Sequence, residues 1–167
     1  VVKSGTLALI YGDKVKKFEA DFASAYGVST AVATSSGTAA LHTALNFLNL
    51  EPGDEVLVPA ITDMGSVIPI LLQNAIPVFV DVDPVTHIMD PEDAKRRISD
   101  RTKVIMPVHI YGYPCDMDKI IDIAKEHNLK VVEDCAQAFF TEYKGKKVGT
   151  FGDVACFSLQ QSKHITT

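Results

Sequence analysis

The last quarter of the chain carries a carboxylate at Asp134, an amide at Gln137, a hydroxyl at Ser158 and an amine at Lys163. Each follows a short apolar run. Val131-Val132 leads into Glu133-Asp134-Cys135-Ala136-Gln137, and Val154-Ala155-Cys156-Phe157 leads into Ser158-Leu159-Gln160-Gln161-Ser162-Lys163-His164. Runs of this length, rich in β-branched or aromatic residues, are expected to be buried strands. In an open parallel sheet, ligands bind outside the carboxyl ends of the strands, so the four groups are expected to converge on one crevice.

An amine, an acid, an amide and a hydroxyl facing one space suit a phosphorylated pyridine aldehyde. Lysine condenses with a carbonyl as a Schiff base, and pyridoxal phosphate chemistry pairs such a lysine with an acid at the pyridine nitrogen. On this reading Lys163 takes the aldehyde carbon. Asp134 keeps the ring nitrogen protonated, so that the ring accepts the electron pair released when a substrate Cα–H bond breaks. Gln137 bonds the ring hydroxyl and Ser158 reaches the phosphate. Taken singly, an Asp after a strand is a cap or turn residue and a Lys in a polar segment is a solvated charge.

Order and spacing add to this. Glu133-Asp134-Cys135-Ala136-Gln137-Ala138, followed by Gly152-Asp153-Val154-Ala155-Cys156-Phe157-Ser158-Leu159-Gln160-Gln161-Ser162-Lys163-His164-Ile165-Thr166-Thr167, closely resembles the DegT/DnrJ sugar aminotransferases. These are fold-type I pyridoxal phosphate enzymes, with the pattern E-D-x-A-Q and then F-S-F-x-x-[ST]-K-x-[IL]-[TS], the lysine carrying the cofactor. Earlier, Ser35-Ser36-Gly37-Thr38-Ala39-Ala40-Leu41 has N-cap residues ahead of an alanine-rich helix start whose free N–H groups suit a phosphate. It is similar to the family's S-G-T-x-A-L motif, and the resemblance implies that Gly37 and Thr38 bind the cofactor phosphate. It further implies amino transfer from glutamate or glutamine to a keto-sugar, nucleotide-linked or otherwise, or to a cyclitol, with Lys163 as general acid and base. A homodimer with shared active sites is expected by analogy. Two alternatives stand beside this. Family dehydratases keep the cofactor but have histidine in place of the lysine, and His164 is one residue out of register for that role. A regulatory or scaffold homologue would keep the fold without the chemistry.

One position departs from the pattern. Pro59-Ala60-Ile61-Thr62-Asp63-Met64-Gly65 has Asp63 where many family members have an aromatic residue that stacks on the cofactor, and a carboxylate cannot stack. Either Met64 or another side chain covers the ring, or the substrate side of the pocket differs, or Asp63 caps the helix Gly65 to Gln73. His109, just past the apolar run Val104 to Val108, is expected to orient or pack. Asp81 and Asp83 lack the glycine and terminal glutamate of a calcium loop and are expected to be turn acids, so no metal is expected.

Positioning these residues requires alternating strands and helices. Apolar spacing predicts helices over Lys14 to Tyr26 with Gly27 as stop, Ser35 to about Leu48, Gly65 to Gln73, Asp90 to Ile98, and Asp118 to His127. Strands are expected at Thr30–Thr34, Val56–Val58, Pro77–Val80, Val104–His109, Val131–Val132 and Val154–Phe157, with an exposed hairpin and solvated lysines over Tyr143–Gly149. Such alternation predicts a three-layer α/β/α fold with a mostly parallel sheet, the large domain of a fold-type I enzyme across residues 1–167. No internal linker is expected.

The 167 residues are 47% hydrophobic and 22% charged, with net charge −5, which argues against a nucleic-acid partner held by a basic surface. No apolar run is long enough for a membrane span, and the first seven residues lack the zones of a signal peptide, so a cytoplasmic protein is expected. Cys115, Cys135 and Cys156 are widely spaced and expected to be reduced and buried. The chain ends four positions after Lys163, where the family continues into a smaller second domain, so a fragment is expected.

Overall fold

The computed structural model describes residues 12–166; the opening residues on which the signal-peptide reading rests lie outside them. The chain divides into two compact units, one ending at Thr34 and one beginning at Ser35.

In the first unit, helix α1 (Lys14–Tyr26) places Phe18, Phe22 and Tyr26 in a ladder of rings with centroids 5.7 and 4.9 Å apart. The ladder follows from aromatic residues four positions apart, which share one helix face. Gly27 ends the helix at φ 69°, a left-handed geometry that glycine adopts without a Cβ penalty. The strand expected at Thr30–Thr34 does not form. Glu19 takes the Ala33 N–H at 2.9 Å, so a side chain, not a neighbouring strand, satisfies that donor.

The second unit runs α2 (Gly37–Phe47), β1 (Glu55–Pro59), α3 (Met64–Leu72), β2 (Ile76–Val80), α4 (Pro91–Arg96), β3 (Thr102–Ile105), α5 (Met117–Glu126), β4 (Lys130–Asp134), β5 (Glu142–Tyr143), β6 (Lys146–Lys147) and β7 (Val154–Cys156). Five strands form a parallel sheet in the order β2-β1-β3-β4-β7, and β5 and β6 make a separate antiparallel hairpin. Strand side chains alternate between two cores. Val56 and Val58 pack with Leu41, Leu45 and Ile70 of α2 and α3, whereas Leu57 packs with Ala94, Met117 and Ile120 of α4 and α5. Both faces are covered, which is why Val56, Leu57 and Val58 of β1 form an uninterrupted apolar run. Each such side chain, fully buried, contributes about 1.5–3 kcal/mol. The three-layer α/β/α fold with a mostly parallel sheet is as expected.

Several boundaries are shorter than expected. The apolar run Val104–His109 leaves the ladder after Ile105 because Pro107 has no N–H to donate; its carbonyl still accepts from Asp134, and Val108 forms a lone bridge to that residue. The helix expected to reach Ile98 stops at Arg96, although Asp90 caps it and Pro91 opens it as predicted. Asn49, Asn74 and Asn128, at φ 53–56°, follow α2, α3 and α5 and turn the chain back toward the sheet. Asparagine tolerates that conformation, a stop signal less plain than the glycine of α1.

The hairpin lysines are more engaged than a solvated patch. Lys144 pairs with Asp118 while Tyr143 Oη donates to Asp116 at 2.6 Å, and Lys146 lies 4.2 Å from the Phe151 ring centroid. The hairpin is thereby pinned to the start of α5. All three cysteines are free and buried, and burial pushes Cys115 and Cys156 up to about 12.

Candidate active site

Asp134 is the last residue of β4 and is buried. Its Oδ2 accepts from Ser66 Oγ at 2.7 Å and its Oδ1 from the Ala136 N–H at 3.0 Å. Ser66 is buried in the first turn of α3, and its Oγ lies 2.8 Å from Thr62 Oγ1. An ionised carboxylate only accepts. Ser66 therefore gives its single proton to Asp134 and receives one from Thr62. Burial pushes Asp134 above the ordinary carboxylate range, and the Ser66 and Ala136 donors with the charge of Lys163 offset it only in part.

Lys163 stands in the loop after β7, its N–H donating to the Gln160 carbonyl at 2.8 Å. Ser162 folds back onto the same residue, donating through its N–H to Gln160 Oε1 at 2.9 Å. β7 pairs with β4, and the charge of Lys163 is among the influences that lower Asp134.

A second cluster forms where α2 begins. Ser36 caps the helix by accepting the Ala39 N–H at 3.1 Å. A Cβ added at Gly37 would stand 2.8 Å from Ser158 Cβ, so only glycine lets this turn approach the buried serine. A Cβ added at Gly65 would stand 2.9 Å from both Thr38 Oγ1 and Asp63 Oδ1. The first turns of α2 and α3 and Ser158 thus share one corner, and helix N-termini favour anions there. Asp63 caps α3, accepting the Gly65 N–H at 2.7 Å, which realises the capping alternative.

Gln137 is held elsewhere. Its Oε1 accepts the Tyr111 N–H at 2.9 Å, which leaves the amide NH2 as its donating end. Tyr111 lies at φ 55°, ψ 21° inside the short turn Ile110–Gly112, a strained conformation for an aromatic residue. The expected residues therefore stand apart in the contacts they make: Asp134 on the Ser66 and Ala136 donors, Lys163 in the loop after β7, Gly37 and Thr38 near Ser158 and Gly65, and Gln137 on the Tyr111 turn.

Sequence reasoning missed Thr62 and Ser66, whose only signal is two hydroxyls four positions apart across a helix start. It also left Glu133 without a role. That carboxylate accepts from the Gly149, Phe151 and Gly152 N–H groups at 2.7, 2.8 and 2.8 Å, and lies 3.2 Å from His109 Nε2. His109 Nδ1 accepts the Cys115 N–H at 3.1 Å, so the ring proton sits on Nε2 and points at Glu133. Burial alone would raise Glu133, but His109 and the backbone donors outweigh it and hold the acid below its ordinary range. The atoms of His109, Glu133 and Cys135 lie within 4.8 Å of one another, yet these hydrogen bonds already occupy the acid. His109 packs and orients, as expected.

Among the described residues, Glu55, Asp93, Glu133 and Asp134 are the buried acids. The first three are lowered, Glu55 and Asp93 with arginine and hydroxyl or backbone donors around them. Asp134 alone of these four is raised, and a buried acid shifted against its ionised form is a candidate for a functional group.

The model of the DegT/DnrJ/EryC1/StrS aminotransferase family matches residues 1–167. The chain belongs to this family. Within it, the chain is 49% identical to GDP-perosamine synthase of Escherichia coli O157:H7 over 93% of its own length and 43% of that protein's. It is 41% identical to the L-glutamine:2-deoxy-scyllo-inosose aminotransferase of Streptomyces kanamyceticus over 91% of its length and 36% of that protein's. Its fold superposes on the aminotransferase from Psychrobacter cryohalolentis with a TM-score of 0.97 at 40% identity, covering 99% of this chain and 42% of the other. It also superposes on NtdA from Bacillus subtilis, solved with bound cofactor PMP, with a TM-score of 0.91 at 33% identity, covering 99% of this chain and 37% of that one. The chain thus spans about two-fifths of the length of these proteins. No helix among the described residues is long and apolar enough to cross a membrane.

Proposed function

We propose that this chain is the large cofactor-binding domain of a pyridoxal phosphate-dependent aminotransferase. The enzyme moves an amino group from glutamate or glutamine to a keto-sugar, nucleotide-linked as in the perosamine relative, or to a cyclitol. The observation that carries the reading is Asp134, buried at the end of β4, whose oxygens accept from Ser66 and Ala136 and still keep acceptor capacity, and which, alone of the buried acids among the described residues, is raised against ionisation. The residues present fit the cofactor. Gly37 leaves open a corner that a Cβ would fill, where Thr38, Ser158 and two helix N-termini can meet a phosphate. A buried carboxylate retaining acceptor capacity fits a pyridine nitrogen.

Bound pyridoxal phosphate would supply an electron-withdrawing ring that lowers the cost of breaking the donor's Cα–H bond. The protein's groups do the rest. Lys163 would hold the cofactor through its aldehyde, and its amine would serve as the proton carrier at the donor's Cα. Asp134 keeps a proton on the ring nitrogen. Gln137, its carbonyl taken by Tyr111, directs its NH2 to the ring oxygen. Gly37, Thr38 and Ser158 hold the phosphate.

The proposal extends to a cytoplasmic homodimer with shared active sites. Its support is an apolar surface on α3 and β2, where Met64, Ile68, Leu71, Leu72 and Phe79 lie exposed, more than isolated surface residues explain. Incubating the full-length protein with a keto-sugar nucleotide and glutamate tests the reading. It predicts an amino-sugar from the wild type and none from Lys163→Ala. A deoxy product would establish the dehydratase alternative, and a protein that takes up no cofactor would establish the scaffold.

A further inference from the structure

We propose that Thr62 and Ser66 form a hydroxyl relay whose task is to hold Asp134 ionised and aimed at the cofactor ring, which makes both of them positioning residues. The proposal rests on the aminotransferase reading above. Its own basis is the chain of contacts Thr62 Oγ1, Ser66 Oγ, Asp134 Oδ2, with separations of 2.8 and 2.7 Å.

The direction of that chain is forced. Ser66 gives its one hydroxyl proton to Asp134 Oδ2, so in the pair it makes with Thr62 it can only accept, and Thr62 donates. Hydrogen bonds aligned head to tail polarise one another, and a donor to a charged acceptor is stronger than one to a neutral group. The relay therefore favours the ionised acid in a place where burial opposes it. It also fixes the side chain. Oδ2 is tied to α3 and Oδ1 to the Ala136 N–H, which sets the plane of the carboxylate and leaves lone pairs on both oxygens for a further donor. α3 begins where Asp63 caps it, so the residue at the family's stacking position also fixes the turn that presents Ser66.

The titratable groups facing Asp134 are His109 after β3, Lys163 after β7, and the thiols Cys135 and Cys156. Burial pushes both thiols up, so they stay neutral. Lys163 reports on the cofactor when bound, whereas the relay acts on Asp134 whether or not cofactor is present.

The test uses the full-length protein and Ser66→Ala, Thr62→Val and Thr62→Ser. In the apoprotein, the carboxyl carbon of Asp134 is followed by NMR across pH. Its midpoint is expected to move upward in Ser66→Ala, by a smaller step in Thr62→Val, and to return toward wild type in Thr62→Ser. In the holoenzyme, cofactor binding measured by equilibrium dialysis is expected to be about tenfold weaker for Ser66→Ala, the equivalent of one charge-assisted hydrogen bond. An unchanged midpoint in both Ser66→Ala and Thr62→Val, with normal near-UV circular dichroism, would overturn the relay. If wild type takes up no cofactor while the apoprotein midpoints shift as expected, the relay stands and the aminotransferase reading falls. Should Ser66→Ala fail to fold, Thr62→Val against Thr62→Ser decides alone.

Discussion

Glu133 and Asp134 are neighbours on β4, both buried, and their surroundings differ in how many donors they supply. Glu133 sits in a socket of donors, three backbone N–H groups and an imidazole N–H. Asp134 has two, a serine hydroxyl and one backbone N–H. The first acid is held below its ordinary range and the second above it. Burial opposes the ionisation of both, and only at Glu133 do the donors and the neighbouring imidazole outweigh it. A saturated carboxylate anchors the fold, here by tying the Gly149–Gly152 segment to β4. An undersupplied one retains capacity for a ligand, and its ionisation costs stability until that ligand arrives.

Exchanging the roles should expose the difference. Asp134→Asn is expected to cut transamination in the complete enzyme on the order of 10²–10³-fold, without lowering the thermal midpoint of the apoprotein at pH 7. A large loss of stability would show that Asp134 is structural after all. Glu133→Ala is expected to do the reverse. Removing a buried charge from its partners costs about 3–5 kcal/mol, and denaturant unfolding monitored by circular dichroism would read it directly.

A smaller effect follows from the two shifts. Glu133 has a lowered folded value, so its contribution is present above its unfolded carboxylate range and is lost as pH falls through the folded value. Asp134 has a raised one, so its contribution is present below its unfolded range and is lost as pH rises through the folded value. Thermal midpoints across the acid range should therefore fall less steeply toward low pH in Glu133→Gln than in wild type, and more steeply in Asp134→Asn. Parallel curves in all three proteins would contradict the assignment.

Much of this was legible in the sequence because it is written in local patterns. Apolar runs flanked by turn residues marked β1, β4 and β7, and the parallel order follows from the helices between them. Asp134, Ser158 and Lys163 stood out through the order and spacing of their motifs, since singly an acid or a lysine there reads as a cap or a solvated charge. The strand at Thr30–Thr34 failed because its β-branched composition says nothing about Glu19, which takes one of its donors. Thr62, Ser66 and the socket of Glu133 were hidden for a related reason. Each depends on partners many positions away, Ser66 to Asp134 and His109 to Glu133, and hydroxyls and single acids carry no periodic signal. The bond of Gln137 to Tyr111 was hidden too, because it comes from a strained turn that composition does not announce.

The most direct measurement is borohydride reduction of the full-length protein loaded with pyridoxal phosphate, followed by peptide mass mapping. A pyridoxyl adduct on Lys163, retained in Glu133→Gln and weakened in Asp134→Asn, is the expected result. An adduct on another lysine, or none, would contradict the pairing of this amine with this acid.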